Sequence, residues 1–308
     1  QETGVPPELL GSFLEAIGFA RMAPDELIRE DELEVVPLLQ LGLSSGFLDQ
    51  LWSTRLGRGY AEGLRLIAGV EKDVWRARFI APVLESGADQ QTAREQAAQL
   101  SGDLNVAPLL DRALLAAYRR QQELAWIEQL VEDIEAALDQ TGVLGRPGRV
   151  PAMCFLDLVG YTHLTEERGD QAAAALAEAL ATLVNRSARE HGGVPVKWLG
   201  DGVMSWFREP AGAVLAALAL VEQFPEAGLP PAHVGVAAGP VVVQGGDYFG
   251  RTVNLAARIA AHAGAGRVLV SERVAELTPP QGVTFVELGQ VQLEGIARPV
   301  RVLEARRT

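Results

Sequence analysis

Two segments decide how this chain reads: Val150-Pro151-Ala152-Met153-Cys154-Phe155-Leu156-Asp157-Leu158-Val159-Gly160-Tyr161-Thr162, and Val194-Pro195-Val196-Lys197-Trp198-Leu199-Gly200-Asp201-Gly202-Val203-Met204-Ser205-Trp206-Phe207. Each holds a short apolar run of strand character with one aspartate at or near its tip, Asp157 and Asp201. The alanine-rich segment between them is long enough for one crossover helix. If the two strands lie side by side, both carboxylates point into one pocket. Paired carboxylates on adjacent strand ends suit hard, oxygen-seeking cations such as Mg²⁺ or Mn²⁺. Either aspartate alone serves equally well as a turn residue, since Leu199-Gly200-Asp201-Gly202 is also hairpin chemistry.

Outward from these strands, Gly160-Tyr161-Thr162 is a glycine turn entering a helix, with Thr162 as its N-cap. Free backbone N–H groups at such a turn can receive a phosphate. The helix is expected to run to about Glu190 and to end at His191-Gly192-Gly193. Val194–Trp198 and Gly202–Phe207 then form a hairpin, and Pro210–Phe224 a second helix. His233–Ala238 reads as a strand onto which Pro240–Gln244 pairs back, followed by a turn over Gly245–Gly250. A further helix opens at Thr252, where Asn254 and Arg258, four apart, share a face. That pair suits a ribose and a phosphate, or is simply an Asn–Arg pair on the surface.

Taken together, the strings F-L-D-L-V-G-Y-T, V-K-W-L-G-D-G-V-M and G-D-Y-F-G-R-T-V-N-L-A-A-R resemble, in this order and spacing, the catalytic domain of class III nucleotidyl cyclases over about residues 150–305. The resemblance implies a ferredoxin-like, palm-like α/β domain. It implies that Asp157 and Asp201, with Leu158, hold two Mg²⁺ or Mn²⁺ ions per active site. It implies that Lys197 and Asp247 read the purine, that Gly160, Tyr161 and Thr162 contact the substrate, that Asn254 orients the ribose, and that Arg258 stabilises the transition state. It further implies a homodimer whose active sites each draw on both protomers. Gly245-Gly246-Asp247-Tyr248-Phe249 has a superficial likeness to the signature of diguanylate cyclases, but Tyr248 stands where a second acid belongs. Many class III relatives carry a basic residue near the closing strand to hold the triphosphate. This chain has Glu294 there, with Arg298 and Arg301 as substitutes between which the sequence does not choose.

The first half is helical throughout, with expected helices at Pro7–Ala20, Asp25–Leu33, Val35–Leu41, Ser45–Val83 with a break near Arg58-Gly59, and Asp89–Leu100. Trp52, Leu56, Leu64 and Ile67 fall on one stripe and read as core. A last helix opens near Asn105 with Pro108 in its first turn and runs to Gln140. Along it Leu124, Ile127, Val131, Ile134 and Leu138 recur in steps of three and four, the pattern of a coiled-coil seam or of one face of a bundle. Thr141 to Gly148 stop this helix. The expected organisation is therefore α+β: an all-helical domain over 1–140, a linker over 141–150 and a catalytic domain over 151–308. The helical half resembles, at the level of pattern, the regulatory domain preceding the catalytic domain in a group of actinobacterial adenylyl cyclases.

Composition narrows the function classes. The chain has 308 residues and a formal net charge of −13. Residues 1–150 hold 24 acidic against 14 basic side chains, and residues 151–308 hold 16 against 13. Such an acidic chain lacks the basic stripe of a nucleic-acid binder. No apolar run is long enough to span a bilayer, and the single cysteine, Cys154, excludes internal disulfides. The expected location is cytoplasmic. Of 27 basic residues only Lys72 and Lys197 are lysines, which singles out Lys197 four residues before Asp201. Lys197 can donate to N1 of adenine and Asp247 can accept from its amine, whereas guanine presents the opposite pattern. The expected activity is therefore that of an adenylyl cyclase, a lyase acting on ATP and restrained by the helical half. That half could also bind a lipid or small ligand in an apolar groove. A guanylyl cyclase and a non-catalytic nucleotide-binding regulator are the rival readings.

Overall fold

A computed structural model of the chain describes residues 4–19, 30–46, 50–140, 150–244, 247–280 and 282–308. It forms two compact units, Gln1–Ala137 and Leu138–Thr308. The expected linker lies outside the described residues except for Val150.

The first unit is helical, as its periodicity predicts. Helix α1 (Pro7–Ala16) begins on a proline, whose missing N–H costs nothing in a first turn. Phe13 and Leu9 pack with Val5, Val36 and Leu39 in a small core. Helix α2 (Val36–Ser45) ends at Gly46, which adopts the left-handed conformation with φ 68°. Helices α3 (Gln50–Trp75), α4 (Ala81–Glu85), α5 (Gln90–Asp103) and α6 (Val106–Gln140) follow. Asp89 caps α5 by accepting the N–H groups of Gln91 and Thr92, each at 2.9 Å.

Three expectations change here. Helix α3 runs unbroken through Arg58-Gly59; the irregularity comes later, as a π-helical turn over Arg76–Ile80 where Trp75 stacks on Phe79 at 4.4 Å. Of the expected helix at Asp25–Leu33, residues 25–29 lie outside the described residues, and Asp31–Val35 is a 3₁₀ turn. Leu64 is 52% exposed and not core, while Leu56 and Ile67 are half-buried. The side chain of Trp52 lies outside the described residues. On α6, Leu124, Ile127 and Ile134 of the stripe are exposed.

The second unit is built on a seven-stranded sheet. Its strands are β1 (Ala152–Leu158), β2 (Gly193–Trp198), β3 (Gly202–Phe207), β4 (Ala232–Ala238), β7 (Val268–Ser271), β8 (Val283–Val291) and β9 (Val300–Arg307), in spatial order β2-β3-β1-β4-β7-β9-β8. β4 and β7 run parallel; every other neighbouring pair is antiparallel. Strand β1 shows why the sheet is central. Ala152, Cys154, Leu156 and Leu158 face one cluster, while Met153 faces the other, as the two-residue strand period requires. Helices α8 (Asp170–Glu190) and α9 (Pro210–Gln223) cover the first face, and α10 (Arg251–His262) the second. Helix α10 lies against β4 at Gly235, where a Cβ would fall 2.1 Å from the backbone N of Ala260 and 2.4 Å from the carbonyl of Ala256.

The expected single helix from Thr162 to Glu190 is two, α7 (Tyr161–Arg168) and α8, separated by Gly169 at φ 81°. Nor does Pro240–Gln244 pair back on β4. The strand β5 (Val242–Gln244) pairs instead with β6 (Asp247–Phe249) in a separate ribbon. Gly239, at φ 155° and next to Pro240, leads the chain out of the sheet. The short helix α11 (Glu272–Leu277) follows β7.

Candidate active site

The register of β1 against β3 sets Asp157 opposite Gly202, immediately after Asp201. Across the same rung the Leu158 N–H donates to the carbonyl of Asp201 at 3.3 Å, so both aspartates occupy one end of the sheet. The carboxylate of Asp157 rests over Gly202, where a Cβ would lie 2.7 Å from its Oδ1. On its other side β4 supplies His233, which pairs with Asp157 in the ladder and places Nε2 3.1 Å from Oδ2. The sequence reading missed His233. Its one signal was a polar residue inside the otherwise apolar strand A-H-V-G-V-A-A.

The donor set fits a hard divalent cation. Asp157 and Asp201 offer carboxylate oxygens, and Leu158 has only its backbone carbonyl to give. Among the described residues no three His, Cys, Asp or Glu side chains cluster as a metal cage. Magnesium is commonly held this way, by one or two carboxylates with water and substrate phosphate filling the remaining positions.

Next to these strands Gly160 adopts φ 74° and turns the chain into α7. The hydroxyl of Tyr161 donates to the Ala173 carbonyl at 3.1 Å, which ties α7 to α8 and commits that side chain to structure. Backbone N–H groups therefore remain as the means by which Gly160 and Tyr161 could meet a phosphate. Thr162 lies in the first turn of α7, and its side chain is outside the described residues.

Lys197 on β2 and Asp247 on β6, fifty residues apart in sequence, form a charge-assisted hydrogen bond. The second oxygen of Asp247 accepts the Tyr248 N–H at 2.9 Å. The Lys197 ammonium, aided by that N–H, holds the Asp247 carboxyl below the usual carboxylate range. This brings together the two residues expected to read a purine.

Asn254 and Arg258 stand one turn apart on α10, both exposed. Asn254 lines a cleft of about 760 Å³ with Gly250, Arg251, Gly295, Ile296 and Arg298. The guanidinium of Arg258 lies 3.9 Å from Glu294, an exposed contact worth little in water. The two candidate phosphate ligands near the closing strand now separate. Arg301 is committed, bonding Glu287 twice at 2.8 Å and Glu272 at 2.6 Å. Arg298 faces the same cleft as Asn254.

Residues 148–303 match the family model described as the adenylate and guanylate cyclase catalytic domain. An adenylate cyclase of Streptomyces coelicolor is 30% identical over 277 residues, covering 90% of this chain and 69% of that protein. A Mycobacterium tuberculosis protein named as a pH-sensitive adenylate cyclase is 29% identical over 320 residues, covering 99% of this chain and 76% of its own length. Among solved structures, the adenylyl cyclase CyaB from P. aeruginosa aligns with 52% of this chain and 95% of its own, at 22% identity and a TM-score of 0.48.

Proposed function

This chain belongs to the adenylate and guanylate cyclase catalytic-domain family, and from that premise we propose that it converts ATP to 3′,5′-cyclic AMP and pyrophosphate in active sites shared by a homodimer. The observation that carries the choice of base is the Lys197–Asp247 pair. It presents one donor and one acceptor side by side, matched to N1 and the exocyclic amine of adenine. Guanine offers a donor at N1 and an acceptor at O6, so each group would meet its own kind. A buried polar group left without its partner costs more than a good hydrogen bond gains.

In the proposed reaction the ribose 3′-hydroxyl attacks the α-phosphorus in line as pyrophosphate leaves. Asp157, Asp201 and the Leu158 carbonyl would hold two Mg²⁺ or Mn²⁺ ions. Bound there, such ions would supply Lewis-acid chemistry, lowering the pKa of the hydroxyl and offsetting negative charge on phosphate oxygens. Asn254 hydrogen-bonds the ribose and fixes the direction of attack. Arg258 leaves its exposed contact with Glu294 and neutralises charge developing on the transferring phosphoryl group. Backbone N–H groups from Gly160 to Thr162 receive phosphate oxygens at the start of α7. Arg298, facing the Asn254 cleft, takes the triphosphate role that Glu294 cannot. The metal aspartates come from one protomer, and Lys197, Asp247, Asn254 and Arg258 from the other.

The helical half restrains the catalytic half. The exposed apolar members of the α6 stripe support its pairing with a second copy, and an active site divided between protomers is sensitive to how they meet. Among the described residues no helix is long and apolar enough to cross a membrane.

The test is to assay the purified chain with ATP and with GTP, each with Mg²⁺ and with Mn²⁺. ATP turnover is expected to exceed GTP turnover, and Lys197→Glu with Asp247→Cys should lower the ATP rate by about tenfold or more. A chain that prefers GTP, or a double variant with unchanged ATP turnover, rejects this assignment of the base readers.

A further inference from the structure

A second cavity, of about 770 Å³, lies beside the first turn of α10 where β4, β7 and the β8–β9 pair end. It shares Gly250 and Arg251 with the Asn254 cleft, but none of Asp157, Asp201, Lys197, Asp247, Asn254 or Arg258 lines it. Its volume falls in the range of small-molecule sites, roughly 300–1,000 Å³. Three arginines line it, Arg251, Arg273 and Arg301, against one acid, Glu272. Arg301 is neutralised by Glu272 and Glu287. Arg251 and Arg273 have no ion pair among the described residues. In a chain with 40 acidic side chains to 27 basic ones, two such guanidinium groups beside one cavity leave an uncompensated positive site.

Ser271 lines the same cavity, and its buried Oγ is the one buried side-chain polar atom without a partner among the described residues. Ser271 is only 5% exposed. It stands at the N-cap of α11, where a serine hydroxyl ordinarily accepts a backbone N–H, yet makes no capping bond. A buried hydroxyl left unsatisfied needs an explanation, and a ligand oxygen beside two arginines provides one.

We propose that this cavity binds a small organic oxyanion, a molecule bearing a phosphoryl or carboxylate group held by Arg251 and Arg273 and completed by the Ser271 hydroxyl. The proposal rests on the cavity itself and is independent of which nucleotide the catalytic residues use. It is tested on the full chain, without nucleotide or divalent cation, by calorimetric titration with inorganic phosphate and, separately, with citrate. Saturable binding of one anion per chain is expected, weakened at least about tenfold by Arg273→Glu, the effect of losing one charge-assisted hydrogen bond. Ser271→Ala should weaken it in the same direction, while Asp157→Ala and Asn254→Ala bind as the wild type does. Basal ATP turnover of Arg273→Glu should equal that of the wild type, which separates loss of the site from loss of the fold. Preference for phosphate over citrate, or the reverse, identifies the anionic group. Absence of saturable binding by either anion, binding unaffected by Arg273→Glu, or binding lost with Asn254→Ala would each overturn the proposal.

Discussion

Asp157 and Gly202 face each other across the β1–β3 ladder, and the carboxylate of the first occupies the space where a side chain on the second would begin, 2.7 Å from its Oδ1. The glycine is therefore required by its neighbour. Gly202→Ala should push the Asp157 carboxylate off its present line. Since the added methyl group also comes within 3.0 Å of the Leu156 carbonyl, overpacking of about 1–3 kcal/mol is expected. A displaced catalytic group costs on the order of 100-fold in rate. Turnover with either metal, measured beside thermal unfolding, checks this; a folded variant with wild-type turnover would show that Asp157 need not hold that position.

A site divided between protomers makes a prediction that a site within one chain does not. Asp157→Ala and Arg258→Ala should each be inactive alone, and mixing them should restore activity, because a mixed dimer holds one site with every residue intact. Random exchange between equal amounts predicts recovery to about one quarter of the wild-type rate, the fraction of such sites under independent pairing. Zero activity after exchange has been demonstrated by differential tagging rejects the shared site.

Glu304 predicts an acid limb of stability. It is buried on β9, bonded to Arg267 at 2.6 Å and to Arg306 at 2.9 Å, and its carboxyl is held down to about 2 from an ordinary 4.5, chiefly by Arg267. A depressed carboxyl contributes stability that is fully present above its unfolded value and is lost as pH falls through its folded value. Between pH 4.5 and 2, Glu304→Gln should therefore show a shallower fall in melting temperature than the wild type, from a lower starting point. Parallel curves would mean that the pair carries no pH linkage.

Restraint by the helical half predicts that residues 150–308 alone are more active than the full chain. If the helices serve only to bring copies together, the shorter chain should be less active and should recover as its concentration rises. Specific activity across a dilution series distinguishes the two.

The sequence was most legible where local chemistry determines structure. Strand β1 and the β2–β3 hairpin follow from short apolar runs, a glycine turn and two lone aspartates, so the residues placed at one end of the sheet were already identifiable. It was least legible where the deciding partner is distant. That Arg301 is committed and Arg298 is not depends on Glu272 and Glu287, 29 and 14 residues from Arg301. His233 acquires its meaning only through a strand register 76 residues back. Leu64 lies on a correct helical stripe, but periodicity shows which side chains share a face and not whether anything covers them. At Gly169 and Gly239 a glycine in a left-handed or extended left-handed conformation ended an element that the surrounding pattern would have continued.

The contact between Gly235 and α10 bears on how any signal can reach the chemistry. With the backbone of Ala256 and Ala260 seated directly on a residue that has no side chain, the helix carrying Asn254 and Arg258 has no cushion of side chains over which to slide or turn. A shift by one residue would bring a Cβ-sized mismatch against bare main chain, and interiors packed this closely change by discrete jumps and not by gradual deformation. The catalytic half is therefore a stiff tool. Control exerted on it would change the fraction of time that two such tools are correctly engaged, so graded stimuli should appear as changes in the number of working sites, with turnover per working site left constant.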